Sequence, residues 1–176
     1  NYYSATVPAG KSWNQNINLV GVDGTNVLDV DLSTVKPINL ARRLKDLVGY
    51  PHGCVEQITS KAFPQLFMGD YTQLDEAQKN AAADAIKQTI ERLKLYQVAG
   101  GGFAYWPGGK YVSSYWASTY ATHFMVEAEK KGYAVPSNLR NEAIGFLKSK
   151  AKGWKSNDAS YSYNSVDQAY RLYVLA

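Results

Sequence analysis

Cysteine, histidine and methionine are scarce in this sequence: its 176 residues include one cysteine, two histidines and two methionines. A single cysteine cannot form an internal disulfide, so Cys54 serves chemistry, an intermolecular bond or the packing of a small apolar side chain. The sequence has no CxxC pair, no HExxH motif and no spaced Asp/Asn loop ending in glutamate. A phosphate-binding loop is missing too, because the glycines at 100–102 lack the Gly-Lys-Ser/Thr that would follow them. We therefore expect no metal and no cofactor.

Long apolar runs and runs of one charge are also missing. No apolar stretch approaches the roughly 18 residues that a membrane span needs, so the sequence predicts none. The net charge is +4 and the basic residues are dispersed, which favours a solvated surface over a nucleic-acid interface. Hydrophobic residues make up 45% of the chain, which predicts a globular protein with a substantial core. The 14 tyrosines and 4 tryptophans are compatible with an extracytoplasmic protein or a sugar-binding surface.

The first 36 residues alternate apolar and polar side chains, which is typical of strands. Segments 17–22 and 27–32 show this alternation, and the turn-forming residues 23–26 between them predict a β-hairpin. An isolated hairpin is marginal in water, so we expect its sheet partners outside this chain. The chain begins without a signal-peptide pattern and stops within a helical pattern, and we expect it to be part of a longer protein.

From residue 37 onward, apolar residues recur with the period of a helix. The pattern predicts helices over 38–48, from near Cys54 to about Pro64, and over 74–98, 114–131, 136–151 and 164–176. Helices joined by short loops predict stacked helical hairpins and a mainly α fold. The predicted buried faces are Ala82, Ile86, Ile90, Leu93 and Tyr96 or Gln97; Ala117, Ala121, Phe124 and Ala128; Leu139, Ala143, Phe146 and Leu147; and Val166, Ala169, Tyr170 and Tyr173.

Cys54 and Gln57 are three residues apart at the predicted start of a helix. Side chains at i and i+3 share a helix face with Cβ atoms roughly 5–6 Å apart, so the sulfur can reach the side-chain amide carbon. The unpaired N–H groups of a helix start favour a thiolate, which is both the nucleophile and the leaving group of acyl transfer. The spacing therefore permits an internal thioester, formed when the sulfur displaces ammonia from Gln57.

Two stretches of the sequence resemble one family. Residues 50–64, Tyr-Pro-His-Gly-Cys-Val-Glu-Gln-Ile-Thr-Ser-Lys-Ala-Phe-Pro, resemble the thioester segment of the alpha-2-macroglobulin and complement family in its bacterial version. The Gly-Gly-Phe-Ala-Tyr-Trp-Pro-Gly-Gly stretch at 101–109 resembles repeat loops of the α/α-toroid superfamily, which includes terpene cyclases and protein prenyltransferases. The resemblance implies that residues 37–176 are the N-terminal part of an α/α-toroid thioester domain. Residues 1–36 would be the β-strand end of an upstream β-sandwich module.

The resemblance also implies a function and a set of site residues. The whole protein would be a protease inhibitor of the periplasm or cell envelope, in which a lysine of the protease attacks the Gln57 acyl group and Cys54 leaves. It would then act once per molecule and not be an enzyme. Gly53 and Glu56 would support the thioester, and Tyr105 and Trp106 would shield it from water. A histidine that redirects some complement thioesters to hydroxyls has no counterpart after His123 within the region that this sequence covers, and the specificity that the resemblance implies there is for amines.

Two other functions fit parts of the sequence. A carbohydrate-active enzyme of the α/α-toroid type would suit the aromatic content, but it needs two facing acids, and none stands out among Asp84, Glu91, Glu127 and Glu129. A cysteine hydrolase would pair Cys54 with His123, although the pattern predicts that His123 is buried and hydrogen-bonded. His52 is too close to Cys54 in sequence to act as an oriented base.

Overall fold

The structure, a computed structural model, describes residues 3–22, 24–28, 30, 32, 34, 53–71, 73–108, 113–155 and 164–176. The chain divides into two compact units, Asn1–Ile38 and Asn39–Ala176. The described residues are mainly helical and contain no strand, only one isolated antiparallel bridge between Gln97 and Phe103. The predicted mainly α fold is confirmed. The predicted helix over 38–48 lies outside the described residues.

The first unit is irregular in its described part, so the predicted hairpin over 17–32 is wrong there. A turn does form, because the Thr25 N–H donates to the Val22 carbonyl at 3.1 Å. No ladder continues from it, and Leu19 and Val20 stay 72% and 81% exposed. Two strands without a third element cannot bury an apolar face, which leaves a hairpin little net stabilisation. The assignment of residues 1–36 to an upstream β-sandwich module stays a prediction.

The second unit is a stack of helices. In chain order they are α1 (Val55–Ala62), a 3-10 turn (Pro64–Leu66), α2 (Met68–Tyr71), α3 (Glu76–Leu93), α4 (Tyr115–Lys130), α5 (Ser137–Lys152) and α6 (Asn164–Leu175). The predicted start near Cys54 and the stop near Pro64 are confirmed, and so are helices close to 114–131, 136–151 and 164–176. None of the helices in the described part is both long enough and apolar enough to cross a membrane.

The third predicted helix ends earlier than expected, at Leu93 instead of 98. Beyond it the chain tightens into i→i+3 bonds, in which the Tyr96 N–H donates to the Leu93 carbonyl at 3.0 Å. Tyr96 and Val98 then pair with the returning loop, where Ala104 N–H donates to the Tyr96 carbonyl at 2.9 Å. The apolar period continues through Tyr96, but these tertiary hydrogen bonds replace the helical ones.

Local signals account for the helix starts. The Asp75 carboxylate accepts from the Gln78 N–H at 2.8 Å, and the Gln78 side chain accepts from the Asp75 N–H at 3.1 Å. This reciprocal pair is a capping box, which satisfies two of the N–H groups that a helix start leaves unpaired. Ser114 caps α4 in the simpler way, accepting from the Ala117 N–H at 3.3 Å.

One hydrophobic core joins α1 to α3 and α4, and α4 to α5. The predicted buried faces of α3 and α4 are confirmed, and three of the four residues predicted on α5 are buried. Alanines on α4 allow its neighbours to approach closely, and they pack beside Phe124. The core residues are Val55, Ile58, Ala62, Leu66, Ile86, Ile90, Leu93, Tyr96, Phe103, Ala117, Ala121, Phe124, Met125, Ala128, Leu139 and Ala143.

The predicted buried face of α6 is wrong. Val166 and Tyr173 are 76% and 67% exposed, whereas Gln168 and Arg171 are buried. The Gln168 side chain donates to the Ala151 carbonyl at 3.2 Å and accepts from Arg171, so polar contacts orient this helix. Hydrophobic period alone cannot predict such an orientation, because a buried guanidinium is stable when its hydrogen-bond partners are in place.

Candidate functional site

Cys54 occupies the N-cap position of α1. Its backbone is extended, with φ −66° and ψ 170°, and the helix begins at the next residue. Its side chain is buried, with 9% of the residue exposed, and it is the only cysteine in the sequence. The thiol is therefore placed beside the unpaired N–H groups of the first helical turn, as the sequence predicted.

The Gln57 side chain folds back over the start of α1. The Cys54 N–H donates to Gln57 Oε1 at 3.0 Å, so Cys54 and Gln57 form a capping box. Since only the carbonyl oxygen of a carboxamide can accept from an N–H, this bond fixes which way the amide faces. The carbonyl group of Gln57 is thus held at Cys54, while the glutamine as a whole is exposed. The structure brings the two predicted thioester partners together.

Gly53 leaves the space that the folded Gln57 side chain fills. A β-carbon at position 53 would lie 2.5 Å from Gln57 Oε1, 2.7 Å from its Cβ and 3.2 Å from its Cδ. A β-carbon essentially never lies within 3.0 Å of such atoms, so any other residue at position 53 would displace the Gln57 side chain. Gly53 therefore leaves the room in which the Gln57 side chain lies, and its support of a thioester stays a prediction.

Two tyrosines from one distant loop hold the residues on either side of Cys54. The Tyr96 hydroxyl donates to the Gly53 carbonyl at 2.8 Å, and the Val55 N–H donates to the Tyr105 carbonyl at 2.9 Å. The two tyrosines are linked because the Tyr96 carbonyl accepts from Ala104, the residue before Tyr105. Sequence reasoning placed Tyr96 only in the core. A tyrosine at the end of an apolar face is a possible signal, because a buried hydroxyl needs a partner.

A buried serine fixes the loop that carries Tyr105. Ser118 on α4 accepts from the Phe103 N–H at 2.8 Å, and the Phe103 carbonyl accepts from the Ser114 N–H at 2.9 Å. Both Phe103 and Ser118 are at most 1% exposed. The loop is therefore pinned to α4 on one side and to the start of α1 on the other, which makes the position of Cys54 depend on all three segments.

The two aromatic residues predicted to shield the site differ in position and exposure. The Tyr105 hydroxyl is 3.4 Å from Glu56 Oε2, a long hydrogen bond between partly exposed groups. Trp106 is 62% exposed and Tyr105 41% exposed. The Tyr105 ring therefore lies beside the helix start that holds Gln57, whereas most of the Trp106 side chain faces solvent. A shielding role for either ring stays a prediction.

His123 is partly buried in an aromatic cluster. Its Nδ1 lies 2.9 Å from the Tyr170 hydroxyl, and its ring makes edge contacts with Phe63, Tyr170 and Tyr173. Burial lowers the pKa of His123 from 6.5, more than nearby Glu127 raises it. Burial also raises the pKa of Tyr170 to about 12. The predicted hydrogen-bonded role is confirmed, and the described partners of His123 do not include Cys54. His52 lies outside the described residues.

Three of the four acids considered for sugar chemistry are paired with basic residues. Glu91, Glu127 and Glu129 bind Lys94, Lys130 and Arg140 at 2.6, 2.8 and 3.0 Å, and Asp84 is exposed. Surface ion pairs of this kind are ordinary features of helices. In the part of the chain that the structure describes, no group of three His, Cys, Asp or Glu side chains is arranged to hold a metal ion.

Comparison with known proteins identifies related sequences. The family model described as the A-macroglobulin TED domain matches residues 24–168. The chain is 35% identical over 154 residues to alpha-2-macroglobulin of Escherichia coli (strain K12), covering 80% of this chain and 9% of that protein. It is 31% identical over 150 residues to alpha-2-macroglobulin of Rickettsia conorii, covering 79% of this chain and 7% of that protein. The chain thus spans less than a tenth of the length of these curated relatives.

A solved structure agrees with the sequence comparison. The crystal structure of Salmonella alpha-2-macroglobulin reacted with methylamine matches this fold with a TM-score of 0.64 and 30% sequence identity. The match covers 79% of this chain and 10% of that one. Together with the family match, this similarity confirms the predicted fold class, part of the helical thioester domain of these proteins.

Proposed function

The chain belongs to the alpha-macroglobulin family, within its TED domain, and on that premise we propose that Cys54 and Gln57 form an internal thioester for covalent protease capture. The observation that carries this proposal is the folded Gln57 side chain, whose Oε1 accepts from the Cys54 N–H at 3.0 Å. A surface glutamine usually extends into solvent. Gln57 instead lies against Cys54, in space that is open only because residue 53 is glycine.

Thioester formation is an acyl transfer between the two side chains. The Cys54 sulfur attacks the Gln57 Cδ, a C–S bond forms, and the C–N bond of the carboxamide breaks. The nitrogen leaves as ammonia and carries away the thiol proton. During attack, negative charge develops on Gln57 Oε1, where the Cys54 N–H already donates at 3.0 Å. A backbone donor at that oxygen stabilises the tetrahedral intermediate as an oxyanion hole does.

Capture reverses the bond change with a new nucleophile. The amine of a protease lysine attacks the same Cδ, a C–N bond forms and the C–S bond breaks. Cys54 leaves as a thiolate and takes up the proton that the amine loses, so the protease is held by an amide. By family resemblance, cleavage of a bait region elsewhere in the protein exposes the thioester. The reaction consumes the acyl group, so each molecule acts once and is an inhibitor, not an enzyme.

The same resemblance supports a specificity and a location. Within the residues of this sequence, no histidine after His123 is present to form the acyl-imidazole that directs related thioesters to hydroxyls. We accordingly expect primary amines such as lysine side chains to be the nucleophiles. We expect the full protein in the periplasm or cell envelope, with other domains of the same chain helping to keep water from the thioester.

Intact-mass measurement of the full-length protein tests the proposal. A formed thioester lowers the mass by one ammonia, about 17 Da, and methylamine then adds about 31 Da and releases one thiol. Methylamine suits this purpose because the Salmonella relative was crystallised after reaction with it. The Cys54→Ser variant is the control and should show neither mass change. An unreacted mass and a free thiol in the full-length wild-type protein would reject the thioester.

A further inference from the structure

We propose that Tyr96 is a positioning residue for the thioester, acting through the peptide group between Gly53 and Cys54; this inference rests on the proposed function. The Tyr96 hydroxyl donates to the carbonyl of that peptide at 2.8 Å. The N–H of the same peptide donates to Gln57 Oε1 at 3.0 Å. The three groups therefore form one chain of hydrogen bonds, from a buried phenol to the acyl oxygen.

The geometry of the peptide links the two hydrogen bonds, so that the bond at its carbonyl sets the direction of its N–H. A peptide group is planar, with its C=O and N–H pointing in opposite directions. Holding the carbonyl of residue 53 toward Tyr96 therefore aims the N–H of residue 54 at Gln57. A rotation of this peptide would withdraw the donor from the acyl oxygen.

The hydrogen bond at the carbonyl also strengthens the donor. Hydrogen bonds in series polarise one another, so a peptide that accepts at its oxygen is a better donor at its nitrogen. The effect is largest away from water, and Tyr96 is only 2% exposed. Tyr96 therefore supports the oxyanion without contacting the reacting atoms.

Tyr96 is itself held in place by backbone hydrogen bonds and by packing in the core. Its carbonyl accepts from the Ala104 N–H at 2.9 Å, its N–H donates to the Leu93 carbonyl at 3.0 Å, and its ring belongs to the core. The hydroxyl is thus held at the end of a rigid, packed side chain. Such a group can set the orientation of a peptide, whereas a flexible surface side chain cannot.

The test compares Tyr96→Phe with wild type in the full-length protein. Two quantities are measured: the fraction of molecules that lack ammonia, from intact mass, and the rate of thiol release by methylamine in that fraction. We expect the thioester fraction to fall severalfold, or the rate to fall about tenfold, because the acyl oxygen loses its aligned donor. If both quantities stay within about twofold of wild type, the positioning role is wrong.

Two further variants separate positioning from general stability. Tyr170→Phe removes another partly buried hydroxyl, whose described hydrogen bond is to His123 at 2.9 Å and not to Gly53, Cys54 or Gln57. It should lower the melting temperature as Tyr96→Phe does, yet leave thioester fraction and methylamine rate unchanged. Introducing 4-aminophenylalanine at position 96 restores an N–H donor to the carbonyl. It should recover both quantities, and recovery of folding without recovery of either would overturn the inference.

The experiment also distinguishes this inference from the function on which it rests. If the wild-type protein shows no loss of ammonia and no methylamine adduct, the proposed function fails and the inference fails with it. If wild type shows both, and Tyr96→Phe matches it, only the role of Tyr96 is rejected.

Discussion

The Gln57 side chain fills the space that a side chain on Gly53 would need, because a β-carbon on residue 53 would lie 2.5 Å from Gln57 Oε1. The glycine is needed here for room, since no positive φ is found at this position. The carboxamide that fills the room is fixed by the Cys54 N–H. Gly53 and Gln57 therefore act together. Gly53 has no side chain, and the Gln57 side chain folds back into the space that this leaves.

Replacing Gly53 with alanine tests this relationship. We expect Gly53→Ala to move the Gln57 side chain away from Cys54, since overpacking costs about 1–3 kcal/mol where neighbours cannot yield. The thioester fraction from intact mass should fall about tenfold, which corresponds to about 1.4 kcal/mol. The matched control is Gly145→Ala on α5, where a β-carbon meets nothing within 4 Å. It should keep the thioester and stabilise the helix slightly. Equal thioester fractions in both variants would contradict the steric argument.

Removing the Ser118 hydroxyl tests the anchoring of the loop that carries Tyr105. Ser118→Ala leaves the Phe103 N–H without its 2.8 Å partner in a buried position. An unpaired buried donor costs about 1–3 kcal/mol, which urea denaturation should show as a lower midpoint at an unchanged slope.

Thr119→Val is the control for that variant. The Thr119 hydroxyl donates to the Tyr115 carbonyl at 2.9 Å, an acceptor that also takes part in the helical hydrogen bonds of α4. Its loss should cost less than about 1 kcal/mol, because no buried donor is left unpaired. A larger effect from Thr119→Val than from Ser118→Ala would show that the loop anchor is unimportant.

The stability of the domain should depend on pH through His123. Burial lowers the folded-state pKa of His123 below 6.5, so the unfolded state binds a proton more readily than the folded state. The stability from neutral His123 is fully present above pH 6.5 and is lost as pH falls from 6.5 toward the lowered pKa. Over that interval, protonation also removes the acceptor that His123 Nδ1 can offer to the Tyr170 hydroxyl. We expect melting temperatures to decrease across this window.

A histidine variant assigns that pH dependence. His123→Gln should reduce the slope of melting temperature between about pH 7.5 and pH 5, because it removes the titrating group. The assignment to His123 is wrong if this variant keeps the slope of wild type.

The two aromatic residues proposed as shields should differ in effect. The Tyr105 hydroxyl lies 3.4 Å from Glu56 at the start of α1, whereas Trp106 is 62% exposed. In the full-length protein, Tyr105→Ala should therefore raise the rate of thioester hydrolysis by about threefold or more, and Trp106→Ala should raise it less. The rate is measured as thiol release in buffer without amine. Both variants keep the backbone carbonyl that holds Val55, so a change reports on the ring alone.

Most helices, and the closeness of Cys54 and Gln57, were predictable from the sequence because their causes are local. The signals involved are the helical period, the caps Asp75 and Ser114, and the stop at Pro64. Each depends only on residues a few positions apart. The spacing of Cys54 and Gln57 is equally local, since three residues at a helix start bring two side chains together. In the structure the Gln57 side chain lies against the Cys54 backbone N–H at 3.0 Å, and the thioester between the two residues stays a prediction.

The errors have physical causes as well. The hairpin over 17–32 was predicted from alternation, but alternation stabilises strands only where one face is covered. The face of α6 was assigned from its apolar residues, whereas the buried residues are Gln168 and Arg171. Polar side chains that satisfy one another can be buried, and their partners on other helices are invisible in a local pattern.

The sequence by itself determined which residues the proposed thioester needs: one cysteine, a glutamine three residues later, and a glycine before them at the start of a helix. Only the tertiary structure decided what holds that chemistry in place. Tyr96 reaches Gly53 from 43 residues away, and the Tyr105 carbonyl holds Val55 from beyond the end of α3. Such contacts arise when helices pack and close long loops, so they depend on the whole core and not on neighbouring residues.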